Sequence, residues 1–400
     1  MAFSPFSEVG LAPRDPILGL TEAFNADTRA NKVNLGAGVY TDDDGRVPLL
    51  ASVRQAETMR VNAAAARGYL PIDGLDAYNR AVQKLLLGPD SPLLGGRRVV
   101  TVQALGGTGA LKIGADLLKR FVSGAAVWIS DPSWENHRAL FEAAGFRVDA
   151  YRYYDPATRG LDFDGMCRAL EALPARSIVV LHACCHNPTG VDLDAEQWRA
   201  VVDIVVRRQL VPFLDIAYQG FGDGIEADAI AVRLFANAGI DFLIASSFSK
   251  SFSLYGERVG ALSIVCADTD EAVRVLSQVK RVVRTNYSSP PSHGGAIVAS
   301  VLGNPELRAL WERELAGMRD RIRAMRTGLV EQLKALGVKQ DFDFIRRQRG
   351  MFSYTGLTRE QVDRLREDHA IYAVGTGRIC VAALNTHNLG YVAKSLAKVL

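Results

Sequence analysis

The sequence predicts an α/β protein, a large domain built on a mostly parallel sheet with a smaller α+β domain beside it. Three observations carry this. Six short, almost wholly apolar runs recur through the middle of the chain, amphipathic helical stretches separate most of them, and after residue 265 the alternation gives way to long helical periodicity. The runs are RVVTVQ (98–103), AVWIS (126–130), SIVVLH (177–182), LVPFLD (210–215), DFLIAS (241–246) and GALSIV (260–265). Continuous apolar character marks strands covered on both faces. Regular strand–helix alternation marks a parallel sheet.

Helices are expected near 109–121, 134–144, 194–208 and 225–238. Ser133 is a candidate N-cap for the second, and Asp192 or Asp194 for the third. Helical periodicity over 270–285 and 305–336 flanks the loop Ser288-Ser289-Pro290-Pro291. The tail mixes strands, FSYTGL (352–357) and RICVAAL (378–384), with helices at 358–368 and 387–398. Residues 46–310 are therefore assigned to the large domain, and residues 1–45 together with 311–400 to the smaller one.

Composition narrows the function classes. The chain has 400 residues, 48% apolar and 23% charged, the profile of an ordinary globular protein. A net charge of +3 gives nucleic acid no electrostatic handle, and the 37 arginines against ten lysines fit a GC-rich genome better than a polyanion partner. No apolar run reaches the roughly 18–20 residues of a membrane span. The opening MAFSPFSEVGLAPRDPILGL lacks the basic and apolar regions of a leader. Five cysteines (Cys167, Cys184, Cys185, Cys266 and Cys380) are too sparse for a disulfide framework. A cytoplasmic location is expected.

In such a sheet, ligands collect at the carboxyl ends of the strands, and here those ends are rich in reactive groups. The 241–246 strand runs into Ser247-Phe248-Ser249-Lys250. An amine nucleophile needs a depressed pKa, from burial or a nearby cation. Arg258 can supply the cation and also a bidentate phosphate clamp. Asp215 ends an apolar strand, and a buried carboxylate there needs a cationic partner such as a pyridinium nitrogen; capping a turn is the plainer alternative. Tyr218, three residues on, can hydrogen-bond the 3′-oxygen of such a ring. The turn Gly106-Gly107-Thr108-Gly109 opens a helix, a ready anion site. It half-matches a dinucleotide fingerprint with Asp131, but Lys112 stands where the third glycine belongs. His182, Cys184, Cys185 and His186 crowd five residues whose side chains alternate faces, unlike the paired spacing of zinc sites, so no metal is expected. Trp134 opens a helix where its indole can stack on an aromatic ring.

These pieces, in this order, resemble the class I aminotransferases, fold-type I enzymes dependent on pyridoxal 5′-phosphate (PLP). More narrowly the chain looks like the aspartate/aromatic amino-acid subgroup, and most like its bacterial aromatic (tyrosine) members. HNPTG (186–190) and SFSKSFSLYGERVG (247–260) are the most specific segments, and the resemblance runs from NLGAGVY (34–40) to GRICVAALN (377–385). It implies that Lys250 holds the cofactor as a Schiff base and then shuttles the substrate proton. It implies that Asp215, backed by His137 and with His182 nearby, keeps the ring nitrogen protonated. Asn187 and Tyr218 would meet the 3′-oxygen, Trp134 would stack on the ring, and Gly107, Thr108, Ser247 and Arg258 would hold the phosphate.

The same resemblance makes Arg378 the clamp for the substrate α-carboxylate, with Gly38 adding a backbone amide. Tyr69 would reach the phosphate, and Arg284 the distal carboxylate of the substrate, in the neighbouring subunit of a homodimer with shared active sites. Ser289 departs from the Asn that aspartate-preferring members carry. The expected reaction is transfer of an amino group between aromatic or acidic amino acids and 2-oxo acids such as 2-oxoglutarate. A dedicated aspartate aminotransferase is the alternative within this chemistry. A nicotinamide-dependent oxidoreductase would leave Lys250, Asp215 and HNPTG unexplained, and a PLP-sensing transcription regulator would need a DNA-binding module ahead of the enzyme-like N-terminal arm.

Overall fold

The computed structural model describes residues 4–12 and 17–400, apart from the Leu18 side chain; residues 1–3 and 13–16, part of the stretch read above for a leader, lie outside the described residues. Through the middle of the chain run β1 (Val99–Leu105), α1 (Gly106–Phe121), β2 (Val127–Asp131), α2 (Glu135–Ala143), β3 (Val148–Arg152), β4 (Ile178–His182), α3 (Ala195–Arg207), β5 (Val211–Ile216), β6 (Phe242–Ser247) and β7 (Val259–Val265). The strands form one seven-stranded sheet in the order β1-β7-β6-β5-β4-β2-β3. Alternate side chains go to opposite cores: Val179 and Leu181 of β4 to one, Ile178 and Val180 to the other. That two-sided burial is what the unbroken apolar runs announced.

Only β7 runs against its neighbours, pairing antiparallel with both β1 and β6. The connection 248–258 contains no crossover helix, and a parallel return requires a long crossover. The strand composition says nothing of this direction. β3 was not anticipated. It is an edge strand, and half-buried Asp149 with exposed Arg152 breaks the kind of apolar run that identified the others.

The helices differ from expectation in detail. α3 starts with a full capping box on Asp194. Asp192 instead accepts the backbone amides of Cys185 and His186, at 2.7 and 2.8 Å. At α2 the N-cap position is Trp134, without a side-chain cap, and Ser133 turns its hydroxyl to His137 Nδ1 at 3.0 Å. The expected 225–238 helix is two pieces, Ile225–Asp228 and Ile230–Asn237. An unforeseen helix, Ser292–Gly303, contains Gly294 and Gly295, poor helix formers. Both pass too close to Val259 and Gln103 to carry a side chain.

After β7, α4 (Thr269–Asn286) leads to the long α5 (Pro305–Ala335), which packs against the C-terminal helix Leu389–Val399. Trp311 of α5 donates its indole N–H to Ser251 O at 2.7 Å, tying this helix to the segment after β6. Three small strand pairs complete the described residues, one of them Tyr154–Asp155 antiparallel to Gly160–Leu161. Val33–Asn34 lies parallel to Ile371–Tyr372, and Phe352–Tyr354 antiparallel to Arg378–Cys380.

Candidate active site

Register sets the site. In the parallel part of the sheet His182 pairs with Asp215 and Asp215 with Ala245, so β4, β5 and β6 end side by side. Across the antiparallel pair Leu105 faces Val259, which puts the start of α1 against Arg258; Gly106 N donates to Arg258 O at 3.0 Å. The result is an open cleft of about 680 Å³ at these strand ends. Ten of the residues singled out in the sequence line it: Gly38, Gly107, Thr108, Trp134, Asn187, Asp215, Tyr218, Ser247, Lys250 and Arg258. His182, expected nearby, lines it too.

Lys250 is half-buried, with Nζ 5.1 Å from the centre of the Tyr218 ring. Burial pushes its amine down to about 8; Asp215 opposes the shift and Arg258 adds to it. Asp215 is 5% exposed, and burial works to raise its carboxyl. The hydrogen bond from His137, with the further electrostatic influence of His137 and its other neighbours, outweighs burial and holds the group below the usual carboxylate range. His137 Nε2 lies 2.9 Å from Asp215 Oδ2. An ionised carboxylate only accepts, so Nε2 carries the proton and Nδ1 faces Ser133. Burial, then His137, pushes His182 down to about 3, and both its ring nitrogens are buried without a partner. Burial likewise raises the Tyr218 hydroxyl, which stays a donor.

The residues present fit a phosphorylated pyridine aldehyde. Gly106, at φ +70°, and Gly107 leave a cradle that side chains would fill; a Cβ at Gly106 would stand 2.5 Å from Arg258 Nη2. The first-turn amides of α1, the Ser247 and Ser249 hydroxyls and the Arg258 guanidinium converge there. Arg258 has no acidic partner among the described residues and donates only to Ser249 Oγ and Tyr255 O, each at 3.2 Å. At the other end stand an ionised acid for a ring nitrogen and an amine for a carbonyl.

Arg378 is buried just behind the cleft at 1% exposure. Its Nη1 donates to Asn187 Oδ1 at 3.0 Å and its Nη2 to Gly36 O at 2.7 Å. Arginine only donates, so the Asn187 oxygen must face it and the amide nitrogen turns away. Tyr69 and Arg284 are not brought to this cleft. Tyr69 is wholly exposed, and Arg284 is exposed and donates to Ser288 Oγ. The dense segment 182–186 does not converge on one point. His186 stacks on Tyr153 and meets Ser130 Oγ and Thr189 Oγ1, while Cys184 and Cys185 turn toward Asp228. Leu111, Ala217 and Tyr255 line the cleft without having been singled out. Tyr255 lies within the segment that carries Lys250 and Arg258, where its position between them was the available signal.

Residues 30–396 match the family described as aminotransferase class I and II. The chain is 66% identical over 397 residues to an aspartate aminotransferase of Pseudomonas aeruginosa, covering 99% of this chain and all of that one. It is 53% identical to an aromatic-amino-acid aminotransferase of Escherichia coli, with the same coverage. The solved structure of an aromatic-amino-acid aminotransferase from Burkholderia pseudomallei, covalently bound to pyridoxal phosphate, matches with TM-score 0.98 and 69% identity over the full length of both chains. With that cleft at the strand ends and this likeness over its whole length, the chain belongs to the class I and II aminotransferases.

Proposed function

We propose that this protein is a PLP-dependent aminotransferase that moves an amino group between aromatic or acidic amino acids and 2-oxo acids such as 2-oxoglutarate. One observation carries the reading: an amine held at about 8 by burial shares a cleft with a carboxylate held ionised by His137. When bound, PLP supplies a carbonyl that takes the amino group and a ring that accepts electrons from the substrate Cα. Lys250 Nζ holds that carbonyl between turnovers and, once displaced, takes and returns the Cα proton. An amine at about 8 has an appreciable neutral fraction near neutrality. Asp215 holds a proton on the ring nitrogen. The Tyr218 hydroxyl and the Asn187 amide nitrogen donate to the 3′-oxygen, Trp134 covers the ring, and Gly107, Thr108, Ser247 and Arg258 bind the phosphate. Arg378 takes the α-carboxylate, with the Gly38 amide beside it.

Tyr69 and Arg284 serve the cleft of a second copy in a homodimer. Their exposure on this chain supports that, as do the exposed apolar side chains Leu49, Met59 and Val61 near Tyr69 in the sequence. Residues 46–310 act as the cofactor-holding domain, and 1–45 with 311–400 as the smaller one. The five free cysteines suit a reducing cytoplasm, and among the described residues no helix is long and apolar enough to cross a membrane.

The test is a visible spectrum of the purified enzyme. Tyrosine should convert the cofactor band to the amino form and 2-oxoglutarate should restore it; a Lys250→Ala protein that exchanges amino groups at full speed refutes the reading. The 66% identical relative named an aspartate aminotransferase favours a second reading, a dedicated aspartate enzyme. Values of kcat/KM for tyrosine, phenylalanine and aspartate, each with 2-oxoglutarate, separate the two.

A further inference from the structure

Arg378 is a fully buried cation with no acidic partner among the described residues. Two neutral acceptors hold one edge of it, Nε–H has no partner, and the rest of its support is a ring: Cζ lies 4.3 Å from the centre of Phe352. Buried charges require compensation, and a cation over an aromatic face gains most where both are desolvated.

Phe352 is itself fixed on every side. It is 2% exposed, sits opposite Cys380 in the antiparallel pair, and meets Tyr218 edge-on at 5.8 Å and 81°. Its carbonyl accepts from buried Arg326 at 2.7 Å. The ring tip abuts Gly38, where any Cβ would stand 2.8 Å from Cζ. The ring therefore meets Tyr218 just after β5, the N-terminal segment at Gly38 and the arginine at once.

We infer that Phe352 is a positioning residue for the substrate carboxylate, the platform that holds the Arg378 guanidinium in a single plane. This rests on the reading of Arg378 as the α-carboxylate clamp. The hydrogen bonds to Asn187 and Gly36 fix the edge of the fork; only the ring fixes its tilt. Without it Arg378 regains rotamers in the free enzyme, and binding must immobilise it each time. The expected loss is about tenfold in Kd, equal to about 1.4 kcal/mol. It should be the same for every substrate, because all share the α-carboxylate.

The experiment uses the PLP-loaded enzyme and two acids that cannot react, 3-phenylpropanoate and succinate, with Kd read by calorimetry. Phe352→Leu and Phe352→Met both remove the ring. The methionine, longer and more adaptable, covers the case in which the leucine unsettles the strand. Both variants should bind both acids about tenfold more weakly, with cofactor content and visible spectrum unchanged and with KM, not kcat, carrying the loss in turnover. Unchanged Kd values, a loss confined to succinate, or a loss of cofactor overturns the platform. Arg378→Lys, measured alongside, separates the two ideas. If it binds both acids normally, the clamp reading falls; if it fails while the Phe352 variants bind normally, only the platform falls.

Discussion

The Lys250 amine offers a sharp test of how this cleft tunes its chemistry. At about 8, against 10.5 for an ordinary lysine, about one molecule in ten carries a neutral amine at pH 7, compared with about one in 3,000, a difference of roughly 300-fold. Cofactor-stripped enzyme should therefore react with phosphate-free pyridoxal, trapped by borohydride and mapped to the Lys250 peptide, along a rate curve half-maximal near pH 8. Two substitutions move that midpoint in opposite directions. Asp215→Asn removes the charge that helps Lys250 keep its proton, so the midpoint falls. Arg258→Gln removes the cation that helps expel the proton, so it rises. The phosphate-free probe keeps loss of the phosphate site from confounding the second variant. The same shift acts on stability: from about pH 8 to pH 10.5 the unfolded chain holds a proton that the folded stripped protein has lost, so stability should rise with pH through that window. A rate curve centred near 10.5, or two variants that shift it the same way, refutes the reasoning.

Three further outcomes are expected. His137→Ala removes the largest contribution holding Asp215 below the usual range; its carboxyl then rises, and the acid limb of the kcat–pH profile should move to higher pH, costing about tenfold on that limb. Equal amounts of Lys250→Ala and Arg284→Leu subunits, unfolded and reassembled together, should regain about a quarter of the parental aspartate activity, because half the dimers are hybrids with one intact shared site; no recovery would argue against Arg284 crossing between subunits. Arg326→Ala strands the Gly350 and Phe352 carbonyls that this buried arginine satisfies at 2.6 and 2.7 Å, and should cost about 3 kcal/mol in urea unfolding.

Six of the seven strands of the large sheet could be read from the chain because burial on both faces writes an unbroken apolar run, and β3 escaped because Asp149 and Arg152 interrupt its five residues. The residues of the cleft were similarly visible where chemistry constrains type: Lys250 after a strand among hydroxyls, Asp215 closing an apolar run, glycines opening α1. Phe352 gave no such sign. A phenylalanine on a short strand reads as core, and only packing turns its face toward Arg378.

Alone, the order of residues determined which groups could reach the strand ends, since connectivity and periodicity are local and each strand–helix unit carries its own signal. The tertiary structure decided what those groups became. Antiparallel β7 sets Arg258 against the first turn of α1, the β4–β5 register sets His182 beside Asp215, and α2 brings His137 to within 2.9 Å of that carboxylate. Burial then fixed their protonation. Desolvation and charge–charge interaction depend on distance and surroundings through space, and neither is encoded in separation along the chain.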